Sequence, residues 1–216
     1  MKHTGHIIIP DGCSQVLLHA CCAPCSSAIV EWLLAHGITP VVYYFNPNIY
    51  PREEYEIRKA ESKRHAESLG IRWIDDDQSA SGCGQSCGGY DHAAWLQAVQ
   101  GMENEPERGR RCEACFYHRM LATARKAQEL GIPYFATTLA SSRWKNLEQV
   151  NRAGEAAAAS VERSTEGKTE SPAPRFWAQN WRKDGLQDRR NALLKQYNFY
   201  NQRYCGCEFS MPRAQE

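Results

Sequence analysis

Short apolar runs alternate with longer segments of helical periodicity along most of the chain. Four runs have the length and composition of buried strands: 15–20, 40–45, 71–74 and 133–139. Apolar positions three or four residues apart, with start and stop signals at their ends, predict helices over six segments: 26–36, 51–69, 91–99, 112–130, 146–160 and 186–197. This alternation predicts an α/β fold, with a doubly wound and mostly parallel sheet that carries helices on both faces.

The chain is predicted to form a single α/β domain over residues 1–216. Within it, residues 163–174 are polar and hold two prolines, which predicts a mobile loop. Residues 175–216 are predicted to be a basic C-terminal segment that carries a Cys-Gly-Cys motif. No run approaches the roughly 18 apolar residues of a membrane span. The start of the chain has only the short apolar run Ile7-Ile8-Ile9, so we expect no membrane association and a cytoplasmic location.

Ten cysteines change this picture. A chain of 216 residues buries enough apolar surface to fold without disulfides, and cytoplasmic thiols are more often metal ligands or redox groups. Most of these cysteines fall into three motifs: CCxxC at Cys21, Cys22 and Cys25, CxxC at Cys112 and Cys115, and CxC at Cys205 and Cys207. Cys13 has no predicted role, and Cys83 and Cys87 are expected to be free thiols, with an accessory metal pair as the alternative.

The spacings alone leave several alternatives open. Thiolates from the first two motifs suit an iron–sulfur cluster or a zinc ion, and without a metal they would be redox-active thiols. The CxC motif can close a small, strained and labile disulfide, because Gly206 permits the backbone angles that this ring needs. The alternative for this motif is that one or both of its sulfur atoms bind metal.

Parallel sheets bind ligands beyond the carboxyl ends of their strands. The CCxxC motif, Asn46-Pro47-Asn48, residues 75–77 and Thr137-Thr138 follow or end the four predicted strands in turn. We therefore expect them to share one rim, which the CxxC motif reaches from the start of a helix. The candidate proton donors near this rim are His19, Asp75 and Tyr204. The alternative for His19 is a hydrogen-bonded residue at the end of a strand.

The net charge of +1 conceals an uneven distribution. Residues 53–107 hold 12 acidic and 5 basic residues. Residues 108–145 hold 8 basic and 2 acidic residues, and residues 171–216 hold 8 basic and 4 acidic residues. The two basic blocks favour a polyanion that lies across the cysteine site, with ordinary solvated surface as the alternative.

Six motifs resemble, in order, those of the QueH family of epoxyqueuosine reductases, and the resemblance runs from about residue 14 to 210. They are LHACCAPC from Leu18, YFNPNIYP from Tyr44, RCEACF from Arg111, TTL from Thr137, KN at Lys145 and YCGC from Tyr204. The resemblance implies a fold similar to the adenine-nucleotide α-hydrolases (HUP fold). It also implies reduction of epoxyqueuosine to queuosine at the wobble position of tRNAs with GUN anticodons, without cobalamin and with an unidentified electron donor.

The resemblance further implies a [4Fe–4S] cluster held by Cys21, Cys22, Cys112 and Cys115, with Cys205 and Cys207 as the redox-active pair. A further mononuclear iron beside the cluster is implied, with Cys25 as its candidate ligand. Bases of a tRNA loop stack on aromatic rings, and their phosphates bind Arg and Lys. The substrate-binding candidates of these types are Arg143, Trp144, Lys145, Trp177, Trp181, Arg182 and Lys183. Residues 176–185 depart from the Lys/Arg-rich pattern of the family.

Two other classes of protein remain as alternatives. A tRNA-thiolation enzyme of the nucleotide α-hydrolase group needs a Gly/Ser-rich phosphate loop after the first strand. The chain has Cys-Cys-Ala-Pro-Cys-Ser there, without glycine and with a proline that removes a backbone donor. A zinc-stapled tRNA-binding module without catalysis would use the same cysteines, and it would be colourless rather than brown.

Overall fold

The computed structural model of the chain describes residues 9–76, 90–167 and 172–211. Five strands lie in these ranges: β1 (Gln15–His19), β2 (Thr39–Tyr44), β3 (Trp73–Asp75), β4 (Tyr134–Thr137) and β5 (Arg175–Phe176). The same ranges hold six α-helices: α1 (Ala23–Ala35), α2 (Arg52–Ser68), α3 (His92–Ala98), α4 (Arg110–Glu129), α5 (Leu147–Thr165) and α6 (Leu186–Gln196). Three short 3-10 turns complete the description: Pro10–Gly12, Thr138–Ser141 and Glu208–Ser210.

The sheet has the strand order β3-β2-β1-β4-β5, and all its pairings are parallel. β1 lies at the centre, where His19 pairs with Tyr43 on one side and Thr137 on the other. Its residues Val16, Leu17 and Leu18 are fully buried, as expected of a strand covered on both faces. The α/β prediction is confirmed, and every observed pairing is parallel rather than most of them.

The direction in which strands are added reverses between β1 and β4. The helices follow this division, because α1 packs against α2 and α6 while α4 packs against α5. In doubly wound sheets, ligands bind in the crevice at the carboxyl ends of the strands where the order reverses. The topology therefore points to the ends of β1 and β4, after His19 and Thr137, as the place for a site.

Several boundaries differ from those predicted. α1 begins three residues early, at Ala23, because Pro24 in the first turn suits a helix start. α5 continues to Thr165, so residues 163–165 of the expected loop are helical. β5 was not predicted, since a two-residue strand leaves no periodic pattern. Residues 77–89 and 168–171, which include Asp77, Cys83, Cys87 and part of the predicted loop 163–174, lie outside the described residues.

The C-terminal basic segment contributes to the core. Trp177, Trp181, Leu193 and Phe199 are buried in the main apolar cluster, although charged residues surround them in the sequence. The path of the chain from β5 through α6 brings the Cys-Gly-Cys motif back toward the ends of the central strands. None of the described helices has the length and apolar character needed to cross a membrane.

Candidate functional site

The first cysteine pair lies at the switch point of the sheet. Cys21 follows the end of β1, and its backbone N–H donates to the Thr138 hydroxyl, which comes from the end of β4 (3.2 Å). The same hydroxyl donates to Cys21 Sγ at 3.5 Å. Cys22 precedes α1 in an extended conformation, and Cys25 lies in the first turn of the helix. The strand-to-helix turn thus directs three thiols to one point.

The sulfur atoms of Cys21, Cys22 and Cys25 lie within 4.8 Å of one another. The Sγ atoms of Cys21 and Cys22 are 3.9 Å apart. Hydrogen bonds from the thiols of Cys22 and Cys25 lower the pKa of Cys21, whereas the hydrogen bond with Cys21 raises the pKa of Cys22 and that of Cys25, the latter to about 12. A thiolate supported by two neighbouring thiols is a suitable start for a metal site, because metals bind the deprotonated sulfur.

The resemblance implies a division of the ligands, with Cys21, Cys22, Cys112 and Cys115 on the cluster and Cys25 on a further iron, and this division stays a prediction. In the described part of the chain, the compact group of metal-ligand atoms is Cys21, Cys22 and Cys25. The reason is the early start of α1. Because residues three positions apart are about one helical turn apart, the first turn of α1 places the side chain of Cys25 beside that of Cys22.

The second motif lies at the start of α4. Cys112 Sγ accepts a hydrogen bond from the Arg108 backbone N–H at 3.3 Å. Cys115 is buried in a small apolar cluster with Trp95, Val99 and Cys207. Burial raises the pKa of both thiols of this motif. The start of α4 thus holds Cys112 at the surface of the site and packs Cys115 against Cys207 of the Cys-Gly-Cys motif.

The Cys-Gly-Cys motif enters the site from the other end of the chain. Cys205 and Cys207 are free thiols in this structure, and Cys207 packs in the same cluster as Cys115. Burial raises the pKa of Cys207 to about 11. Gly206 has a φ of +140°, which favours glycine, and its backbone passes close to Asn48 and Ile49. The third motif therefore depends on its glycine for its path.

One cleft, of about 560 Å³, joins the three motifs. Cysteines of every motif line it: Cys25, Cys112, Cys205 and Cys207. So do six basic residues from both basic blocks of the sequence: Arg108, Arg111, Arg143, Lys145, Arg190 and Arg203. The cleft combines a thiol centre with a cationic wall, which is the arrangement needed to bring a polyanion to redox or metal chemistry.

Three of the predicted substrate-binding residues, Arg143, Trp144 and Lys145, line the cleft. Burial opposes the charge of Lys145, yet the nearby sulfur atoms of Cys205, Cys21 and Cys25 raise its pKa. Arg108 fixes this stretch, since its Nε donates to the Trp144 carbonyl at 2.9 Å. The Trp144 side chain also lines the cleft and is 78% exposed.

The structure does not bring the other four substrate-binding candidates, Trp177, Trp181, Arg182 and Lys183, to the cleft wall. Trp181 is 3% exposed and its Nε1 donates to the Thr137 carbonyl at 3.1 Å, so its ring supports the core and offers no face to a base. Arg182 donates to the Lys145 carbonyl at 2.8 Å, which makes it a support for the wall. Lys183 is exposed. The other aromatic candidate of that segment, Trp177, is buried like Trp181.

Sequence reasoning did not single out Arg108, Arg190 or Arg203 as residues of the site. The basic blocks of the sequence contain all three, so charge counting found the regions but not the side chains. Which arginines face the cleft depends on how α6 and the following segment pack, and the sequence pattern does not carry that information.

The three candidate proton donors have different surroundings. His19 is fully buried, and burial lowers its pKa to about 3. Its Nε2 donates to the Phe45 carbonyl and its Nδ1 accepts from the Thr137 hydroxyl, so the ring is neutral and structural. Asp75 pairs with Lys59 at 2.6 Å. Tyr204 lines the cleft, donates to the Tyr50 carbonyl, and has a pKa raised by burial to about 12.

Fold and site together define a cysteine-rich α/β protein with a thiol centre at the switch point of a parallel sheet, beside a basic cleft. The family model described as "Epoxyqueuosine reductase QueH" matches residues 16–213. The chain therefore belongs to the QueH family, which confirms the resemblance given by the motifs.

Curated relatives agree with this assignment. The chain is 41% identical over 203 residues to the epoxyqueuosine reductase QueH of Haemophilus influenzae, covering 94% of this chain and 74% of that protein. It is also 41% identical to the protein of the same name from Acinetobacter baylyi, over 94% of this chain and 83% of that protein. The protein of that name from Thermotoga maritima is 30% identical over 93% of this chain and 92% of its own length.

Proposed function

We propose that the chain is an epoxyqueuosine reductase, which reduces epoxyqueuosine to queuosine at the wobble position of tRNA without cobalamin. The observation that carries this proposal is the meeting of three cysteine motifs in one basic cleft of a QueH-family fold. The cationic wall suits a polyanionic substrate, and thiols that hold a redox centre or form a disulfide suit a reduction. A tRNA substrate agrees with the cytoplasmic location expected from the sequence.

The described thiols fit the iron–sulfur centre that the family resemblance implies. Cys21, Cys22 and Cys25 offer three sulfur ligands within 4.8 Å, and Cys112 extends the set across the cleft. Thiolate sulfur is the donor that iron–sulfur clusters use. When bound, such a cluster supplies electrons one at a time. Metal analysis of the single variants Cys25→Ser and Cys115→Ser identifies which of these two thiols joins Cys21, Cys22 and Cys112 in holding the cluster.

The reaction requires a defined number of electrons and protons. Conversion of an epoxide to an alkene breaks two C–O bonds, forms one C=C bond and releases the oxygen as water, which consumes two electrons and two protons. Oxidation of the Cys205 and Cys207 dithiol to a disulfide releases the same number of each. We assign this pair as the two-electron store, and two successive transfers from a low-potential one-electron donor, with uptake of two protons, return it to the dithiol form. The raised pKa of Cys207 keeps its proton on the sulfur until the reaction takes place.

The cleft wall offers both kinds of group that a tRNA loop needs. Arg108, Arg143 and Arg203 are placed to bind phosphates, and the exposed ring of Trp144 is a surface on which an unstacked base can lie. Lys145, beside the sulfur atoms, is placed to neutralise negative charge at the thiol centre.

Anaerobic purification followed by iron, zinc and sulfide analysis and a visible spectrum tests this function against its alternatives. The reductase account predicts a brown protein with several irons and with sulfide. A colourless protein with stoichiometric zinc would instead support a zinc-stapled tRNA-binding module. Modification of tRNA that depends on ATP and introduces sulfur would support a thiolation enzyme.

A further inference from the structure

A buried ion pair on α2 reaches the Cys-Gly-Cys segment. The Arg58 side chain is only 2% exposed, and its Nε donates to Glu54 Oε1 at 2.7 Å. Glu54 is itself held by the Tyr200 hydroxyl, which donates to its other carboxylate oxygen at 2.7 Å. Charges this deep inside a protein are costly unless every donor and acceptor is used. The partners of the remaining N–H groups of Arg58 therefore indicate what this buried charge holds in place.

Those donors go to the backbone next to the proposed redox pair. Nη1 of Arg58 donates to the Cys205 carbonyl at 3.2 Å, and Nη2 donates to the Tyr204 carbonyl at 3.3 Å. The guanidinium also lies over the Tyr204 ring, 5.3 Å from its centroid. The planar fork of an arginine fixes the direction of two acceptors at once, which the single ammonium of a lysine does not.

The opposite side of the segment is also closed. The Tyr50 backbone N–H donates to the Gly206 carbonyl at 2.8 Å. A Cβ at Gly206 would lie 3.1 Å from Asn48 Nδ2, 3.1 Å from Ile49 Cγ1 and 3.3 Å from Arg58 Nη1. The segment is thus held between the loop after β2 and the guanidinium, with no space for a larger residue.

Arg58 also interacts with the first cysteine pair. Burial lowers the pKa of its guanidinium, but Glu54 and the sulfur atoms of Cys22 and Cys21 raise it overall. The Arg58 guanidinium therefore interacts with two of the three motifs. It donates a hydrogen bond to the Cys-Gly-Cys segment, and its charge interacts with the sulfur atoms of Cys21 and Cys22.

We propose that Arg58 is a positioning residue that holds Cys205 and Cys207 in reacting geometry relative to the thiols at the end of β1. Its side chain is buried and is not among the residues that line the cleft, so it acts through the segment that it holds. It fixes the backbone from which both redox thiols extend, and so it sets how readily they close a disulfide and how well they are placed for turnover. The effect on turnover rests on the proposed function, whereas the effect on the thiols does not.

The test compares Arg58→Lys with Arg52→Lys in the full-length, iron-loaded protein. Arg52 also forms an i,i+4 ion pair on α2, with Glu56, but this pair is exposed, so it is the matched control. Lysine lacks the planar guanidinium, so the Tyr204 and Cys205 backbone would be free to move. This movement would lower the strain of the ring that a Cys205–Cys207 disulfide closes. We expect Arg58→Lys to favour the Cys205–Cys207 disulfide about tenfold more in glutathione buffers, a shift of about 30 mV. We also expect a kcat between about 10-fold and 100-fold lower with unchanged KM for tRNA.

A second variant keeps the test valid if Arg58→Lys fails to fold. Gly206→Ala disturbs the same segment from the other side, and it should change kcat and the disulfide equilibrium while iron content and KM remain those of the wild type. Wild-type disulfide equilibrium and kcat in a folded Arg58→Lys protein would overturn the proposal. A parallel loss of iron and kcat in both variants would overturn it as well, since it would show a purely structural role. An inactive wild type would count against the proposed function, while the disulfide equilibrium would still report on Arg58.

Discussion

At the scale of single residues, the thiols of the site differ in what surrounds them. Cys21 accepts hydrogen bonds from neighbouring thiols and from the Thr138 hydroxyl, and its pKa is lowered. Cys207 is buried beside Trp95 and Cys115, and burial raises its pKa to about 11. A sulfur that loses its proton easily suits metal binding, whereas one that keeps its proton suits a dithiol that delivers protons. Because the pKa values of Cys22 and Cys25 are also raised, the metal group is distinguished from the redox pair by its compact position at the end of β1 rather than by pKa alone.

The redox pair gives a prediction at this scale. Cys205→Ser removes one sulfur from the proposed two-electron store and leaves the thiols at the end of β1 untouched. We expect multiple turnover to be lost while the visible absorbance and iron content remain those of the wild type. Turnover is followed by mass spectrometry of tRNA nucleosides.

Cys13→Ser is the matched control, because Cys13 precedes β1 and donates to the Gln15 carbonyl, at the end of the strand opposite the cleft. It should turn over normally. Normal multiple turnover by Cys205→Ser would show that the redox-pair role is wrong.

At the scale of elements, most strands and helices were predictable because their apolar residues repeat regularly. The start of α1 was not, since its buried first turn consists of small residues such as Ala23, Pro24 and Ser26 that give no apolar pattern. This first turn brings the sulfur of Cys25 close to those of Cys21 and Cys22, its partners in the CCxxC motif. The role of Arg58 had no sequence signal either, because an arginine in a charged helix is usually exposed.

A glycine inside α5 gives the prediction for this scale. A Cβ at Gly154 would lie 2.5 Å from atoms of the Phe176 ring, so the helix packs on β5 through a position that tolerates no side chain. Alanine would gain about 1 kcal/mol of helix propensity. We expect the clash to exceed this gain and Gly154→Ala to lower the free energy of unfolding by about 1–3 kcal/mol.

Urea denaturation monitored by circular dichroism measures this change. Glu155→Ala, at the exposed neighbouring position of the same helix, is the control and should be neutral or slightly stabilising. A Gly154→Ala protein as stable as the wild type would contradict the close packing of α5 on Phe176.

At the scale of the whole molecule, charge is separated although the net charge is only +1. The basic blocks at residues 108–145 and 171–216 are far apart in sequence, and the fold brings arginines of both to one cleft. The sequence predicted a polyanion site from these blocks, and it included Trp181, whose ring is buried in the core. Trp144 is the aromatic candidate that remains at the cleft.

We expect Trp144→Ala to weaken binding of an anticodon stem-loop by about 1–3 kcal/mol, the usual contribution of one stacked base, and Trp144→Phe to retain part of it. Fluorescence anisotropy at several salt concentrations measures both the affinity of each variant and its dependence on salt. Wild-type affinity should fall steeply with salt, since arginines release counterions from the phosphates.

Leu34→Ala provides the control, because Leu34 is also exposed but lies near the end of α1 distant from Cys25. It should bind as the wild type does. A flat salt response, or wild-type affinity in Trp144→Ala, would show that the tRNA lies elsewhere.

Mass spectrometry of the wobble nucleoside tests the central claim most directly. The wild-type protein, purified anaerobically and free of cobalamin, is incubated with dithionite and tRNA that carries epoxyqueuosine, and the nucleosides are then separated. The account predicts repeated conversion to a product that has lost one oxygen atom and that elutes with queuosine. Unchanged epoxyqueuosine after incubation with iron-loaded and tRNA-bound protein would contradict it.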